Sequence, residues 1–128
     1  MTTLSADIQS QLTAQAIELP SWAFGNSGTR FKVFATPGTP RDPFEKIADA
    51  AEVNRVTALA PSVALHIPWD KVDDYSVLRR HAEDLGVQLG TVNSNTFQDD
   101  DYKFGALTHE DAAVRRKAID HHLECIDV

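Results

Sequence analysis

The stretch Val63-Ala64-Leu65-His66-Ile67-Pro68-Trp69-Asp70 begins as an apolar strand and closes on an imidazole, an indole and a carboxylate. An imidazole with an ordinary pKa of about 6.5 can accept or deliver a proton near neutrality, and a nearby carboxylate can orient it. His66 is therefore the candidate proton shuttle and Asp70 its candidate orienter. The competing readings are a histidine satisfied by backbone groups at a sheet end and an aspartate that starts a turn. Trp69, with Trp22 and Phe97, offers an apolar wall, because aromatic faces pack against the C–H faces of sugars and similar ligands. Ordinary core packing competes for each of the three.

Other groups carry less. The segment Asn93-Ser94-Asn95-Thr96-Phe97 offers carboxamides and hydroxyls, which suit either a ligand or a turn. Asp99, Asp100 and Asp101 lack the alternate spacing of a calcium loop and read as a solvated acidic turn. His121, His122 and Glu124 resemble metal ligands by type, but adjacent helix residues point about 100 degrees apart, so surface positions are expected. Gly25 to Gly28 has no phosphate-loop sequence around it and reads as a turn. Cys125 lacks the histidine and oxyanion setting of a nucleophile.

The elements that must position these groups follow from pattern. Ser5 caps a helix expected over residues 5 to 18, with Ile8, Leu12, Ala16 and Leu19 on or near one face and Pro20 as its stop. Residues 20 to 43 form a long Gly- and Pro-rich loop that carries Trp22, Phe24, Phe31 and Phe34, and such loops tend to be functional. Asp42-Pro43-Phe44-Glu45 starts a helix with Phe44, Ile47, Ala48 and Ala51 inward. A strand follows at Ser62–Trp69, then a helix opened by Asp73 and Asp74, with Val77, Leu78, Ala82 and Leu85 inward and Gly86 as its stop. Residues 87 to 97 make a second strand. Thr108 to Asp111 start a last helix whose Ile119, Leu123 and Ile126 are expected to be buried.

Strands alternating with helices predict an α/β fold of βα units around a parallel sheet, with active groups at the C-terminal strand ends. His66, Trp69 and Asp70 lie at one such end, and Asn93, Asn95 and Phe97 at the other. Two parallel strands alone leave faces and edges uncovered. The chain therefore reads as one partial domain: a helical prelude and aromatic loop over residues 1–60, then about two βα units over 61–128, interrupted after the last helix.

The totals set outer limits. A chain of 128 residues with 42% apolar and 24% charged residues has the balance of a globular domain. A net charge of -7 disfavours nucleic acid and anionic membrane surfaces as partners. One cysteine permits no internal disulfide, no segment has the length to span a bilayer, and no signal peptide pattern opens the chain, so a cytoplasmic location is expected.

Taken together, "PSWAFGNSGTRF", "VALHIPWDK", "VNSNTF", "YKFGALTH" and "HHLECIDV" resemble, in that order, the N-terminal part of bacterial L-rhamnose isomerases of the broad-specificity type. The resemblance covers roughly residues 18 to 128 and implies the start of a (β/α)8 TIM barrel like that of xylose isomerases. It further implies a metal-dependent aldose–ketose isomerase, with manganese as a typical divalent metal and a homotetramer as the assembly. It places His66 beside the sugar ring oxygen for ring opening and Trp22, Trp69 and Phe97 in the hydrophobic wall of the pocket. Phe31 matches a loop aromatic that reaches a neighbouring subunit. The family's metal ligands and the lysine near the substrate have no counterpart in this chain, so it is expected to be inactive alone. The alternative is a non-enzymatic interaction or oligomerisation module. Another enzyme of the same barrel superfamily ranks lowest, because it would lack the pairing of "HIPWD" with "NSNTF".

Overall fold

The computed structural model describes residues 5–26, 28 and 33–128. Its centre is a parallel sheet of three strands in the order β1 (Glu18–Pro20), β2 (Ser62–Ile67) and β3 (Gln88–Ser94). Helix α1 (Ala6–Thr13) precedes the sheet, α2 (Pro43–Thr57) joins β1 to β2, α3 (Tyr75–Asp84) joins β2 to β3, and α4 (Ala112–Ile126) follows β3. The sheet thus has one strand more than the sequence pattern predicts. Each of the three is followed by a helix, and β1 lies where a helix was expected to run on to Leu19.

The caps explain the helix starts. Asp42 accepts from the Glu45 N–H at 2.9 Å with Pro43 in the first turn, as its sequence predicts, while the Glu45 carboxylate turns back to Arg41. Asp74 caps α3 through Ser76 N, and Gly86 follows the helix with a φ of 78°, the left-handed region that glycine enters freely. α4 departs from expectation, because Asp111 rather than Thr108 supplies the cap, accepting from Ala113 N. α1 buries none of its residues, so its apolar stripe packs on nothing in the core.

The core lies on one face of the sheet. Ile47 and Ala50 of α2, Val63 and Leu65 of β2, Leu78 and Ala82 of α3, and Val87 pack as one cluster, with Leu19 and Leu89 against it. Val77 and Leu85, expected inward, are exposed, as are Ile119, Leu123 and Ile126 of α4; Ala118 is the buried residue of that helix. Alternation sends the other set of side chains to the opposite face. Glu18 pairs in register with Ser62, and His66 with Asn93, so that face is polar and runs up to His66.

β3 holds a bulge. Val63 pairs with Leu89 and Leu65 with Val92, so β3 carries one residue more than β2 across the interval. The Thr91 N–H within the bulge donates to the Glu18 carboxylate at 3.1 and 3.2 Å, and hydrogen bonding from the Thr91 side chain first, with its backbone N–H adding to it, holds the Glu18 pKa below the usual range. Gly90 makes the contact possible: a Cβ there would stand 1.5 Å from Glu18 Oε2. Gly90→Ala is expected to displace Glu18 and cost about 1 kcal/mol, the worth of one such hydrogen bond. In Glu18→Ala, the same glycine substitution should cost much less by urea unfolding, and additive costs would contradict the contact.

Candidate functional site

The three strands deliver their C-terminal ends to one place. β1 ends at Pro20 and passes into a single 3-10 turn, Ser21–Ala23, which presents Trp22. β2 ends at Ile67, after which the chain turns through Pro68, Trp69 and Asp70. β3 ends at Ser94 and leads into Asn95 and Phe97. The structure brings Trp22, His66, Trp69 and Phe97 together as one cluster. The His66 ring stacks on Trp69 with centroids 3.9 Å apart and planes at 14°. Trp22 and Phe97 meet it edge-on at 5.3 and 6.0 Å. His66 is only 5% exposed, whereas Trp22, Trp69 and Phe97 are each exposed by more than a third, so the box has an open side.

His66 Nδ1 is buried and has no hydrogen-bond partner among the described residues. An unpaired buried polar atom costs free energy and calls for an explanation in a ligand, a water or a function. Burial is the main influence on this imidazole and pushes its pKa down; Asp70 opposes that shift, and His121 and Lys46 add to it. The ring is neutral at neutral pH.

Asp70, the candidate orienter, is fully buried in the site region and makes no hydrogen bond to the imidazole ring; its partners are the His66 backbone N–H and two other side chains. One oxygen accepts from the His66 backbone N–H at 2.7 Å and from the Ser21 hydroxyl, and the other accepts from Lys46 Nζ at 2.6 Å. The Asp70 N–H in turn donates to the His66 carbonyl at 2.9 Å, which closes the turn on itself. Ser21 and Lys46 are the residues that sequence reasoning missed. Nothing in their local pattern marks them, because their partner is distant in the chain.

His121 and His122 also differ from expectation. They are half-buried and face the strand ends. His121 Nε2 lies 3.0 Å from the Asn95 N–H and 3.2 Å from the Ile67 carbonyl, while its Nδ1 lies 3.2 Å from Glu124. His122 meets Ser94 Oγ at 3.1 Å and the Ala118 carbonyl at 2.7 Å. In the acidic turn, Asp99 and Asp101 are exposed and each pairs with Lys117 at 2.7 Å. A concavity of about 400 Å³ lies between Trp69, Asn95, Tyr102, Lys117 and His121. Phe31 falls outside the described residues.

Along 126 residues the chain is 44% identical to a protein of Rhizobium meliloti strain 1021 and, equally, to one of Mesorhizobium japonicum, each bearing the name "probable sugar isomerase". The chain is similar to proteins named as sugar isomerases. The match takes in 94% of this chain but only 29% of the length of either relative. No protein-family profile matches.

The donors present do not fit a metal ion. No three His, Cys, Asp or Glu side chains converge among the described residues. Asp70, the buried carboxylate nearest the aromatic box, already has both oxygens engaged by Ser21, Lys46 and His66 N–H. No helix among the described residues is long and apolar enough to cross a membrane.

The neutral His66 has a consequence for stability. Its folded pKa lies below the unfolded value of 6.5, so the unfolded chain binds the proton more readily. The contribution is fully present above that value and is lost as pH falls from 6.5 toward the folded pKa. Urea unfolding is expected to show stability rising with pH in this window, and His66→Gln should flatten the slope. An unchanged slope in His66→Gln would assign the effect elsewhere.

Proposed function

We propose that this chain forms the N-terminal part of a metal-dependent aldose–ketose isomerase that interconverts L-rhamnose and L-rhamnulose and related sugars. In this reading, the remaining strands of a (β/α)8 barrel and the ligands of its divalent metal, manganese for example, belong to the length of the relatives that the chain does not span. The observation that carries the reading is the unpartnered His66 Nδ1 held inside Trp22, Trp69 and Phe97 at the strand ends. A neutral imidazole there takes the proton of the anomeric hydroxyl as the C1–O5 bond breaks and returns it to the departing ring oxygen, so the open-chain aldehyde forms with no net change of protonation. The aromatic rings receive the C–H face of the sugar and shed its water. A divalent metal held by ligands in that remaining length would supply Lewis-acid polarisation of the sugar oxygens. The same reading gives a cytoplasmic homotetramer in which Phe31 reaches a neighbouring subunit.

The purified chain with L-rhamnose and manganese is expected to yield no ketose. Its fusion to the remainder of the Rhizobium meliloti relative is expected to yield L-rhamnulose. Ketose from the chain alone, or none from a folded fusion, overturns the reading. A second reading, an interaction module, has in its favour that β1 and β3 each pair with β2 alone among the described strands. It requires association with a second copy or with the complementary part of a barrel, and a folded chain that does neither in sedimentation would remove it.

A further inference from the structure

Ser21 and Lys46 take no part in the chemistry above, yet both end on one carboxylate. Ser21 is fully buried and immediately precedes Trp22; Lys46 comes from the first turns of α2 and is almost as buried. Their shared partner, Asp70, immediately follows Trp69 and also binds the backbone of His66. The carboxylate therefore touches the neighbours of both indoles and the backbone of the imidazole between them.

We propose that Ser21 and Lys46 are positioning residues, which by clamping the buried Asp70 carboxylate lock the turn after β2 to the turn after β1 and so hold the His66 ring between Trp69 and Trp22. Stability is a poor explanation for the arrangement, because a buried ion pair is often no better than apolar side chains of similar volume. Geometry is a better one. The Ser21 hydroxyl ties the Trp22 turn to Asp70, the His66 N–H ties the strand end to it, and Lys46 Nζ ties α2 to it through the buried ion pair. What the box receives rests on the function proposed above; the clamp itself does not, and its test reads the box without any sugar.

The chain has only two tryptophans, Trp22 and Trp69, and both touch His66. A protonated imidazole stacked on an indole quenches its fluorescence, so emission against pH reports the His66 midpoint, assigned by its loss in His66→Gln. The charged or titratable groups that influence His66 are Asp70 from its own turn, Lys46 from α2 and His121 from α4. Ser21→Ala changes no charge and is expected to cause a loss of indole near-UV ellipticity in the folded chain. Lys46→Met is expected to raise the His66 midpoint, as the nearby cation is lost. The triple variant Ser21→Ala, Lys46→Met, Asp70→Leu fills the space with apolar groups, and is expected to lose the indole ellipticity while keeping a cooperative unfolding transition. If the triple variant folds and keeps the native ellipticity, the clamp is a structural ion pair and the proposal falls. If the triple variant does not fold, Ser21→Ala decides: unchanged ellipticity overturns the proposal and lost ellipticity upholds it.

Discussion

Asp70→Ala is expected to lower the unfolding free energy of the chain by about 3–5 kcal/mol, the usual cost of removing one partner from a buried ion pair. The penalty comes less from the lost attraction than from what remains. Lys46 would be left without its partner in a site where its side chain is only 11% exposed, the Ser21 hydroxyl would lose its acceptor, and the His66 N–H would be orphaned at the end of β2. Each is a buried donor without an acceptor, and such groups cost more than the hydrogen bond was worth. Asp70→Asn should cost less, since a carboxamide oxygen still accepts although the charge is gone. Urea unfolding of both variants checks the order. Equal costs would show that the carboxylate charge, not its capacity to accept, carries the effect, and a cost below about 1 kcal/mol for Asp70→Ala would show that water replaces it.

His66→Ala, made in the fusion that carries the rest of the Rhizobium meliloti relative, is expected to slow isomerisation by roughly a hundredfold to ten-thousandfold, the range for removing a positioned acid or base. The effect should fall on kcat for the ring-closed sugar, because a proton must leave the anomeric hydroxyl before the chain opens. A substrate that cannot close a ring should be spared most of the loss. That comparison separates proton transfer from simple packing, since loss of the stack on Trp69 would affect both substrates alike. Equal losses with open-chain and cyclic substrates would remove His66 from ring opening and leave it as a wall residue.

Much of this arrangement was legible in the residues. The strand at Ser62–Ile67, the Asp42 and Asp74 caps and the Gly86 stop obey local rules that need no tertiary partner. The gathering of Trp69 and Phe97 around His66 follows once the elements alternate as strand and helix, because parallel strands bring their C-terminal ends to one edge, whereas Trp22 joins them through β1, which the pattern does not show. The misses have a common cause. Glu18–Pro20 is too short to show a period, and it is a strand only because Ser62–Ala64 lies beside it. Ser21 and Lys46 look like a loop hydroxyl and a surface lysine until Asp70 arrives from a distant turn. Asp70 itself was found, but its spacing from His66 suggested an imidazole partner where the structure gives a backbone one. The apolar stripe of α4 has helical spacing, and its Ile126 is nevertheless 77% exposed, because spacing identifies a face without supplying what covers it.

The bulge in β3 also determines which insertions the site can survive. Leu89 and Val92 stand an odd number of residues apart, so in an unbroken strand they would point to opposite sides, and so would everything after them. The extra residue resets the phase, and Asn93 then falls beside His66 while Val92 stays with Leu65. The strand is in effect two short codes joined out of step, with Glu18 fastening the joint. An added or deleted residue between Val92 and Asn95 would turn the whole strand exit over and carry Asn95 and Phe97 away from the imidazole. The same change at Gly90 would be absorbed upstream, in the half of the strand that carries none of the aromatic box.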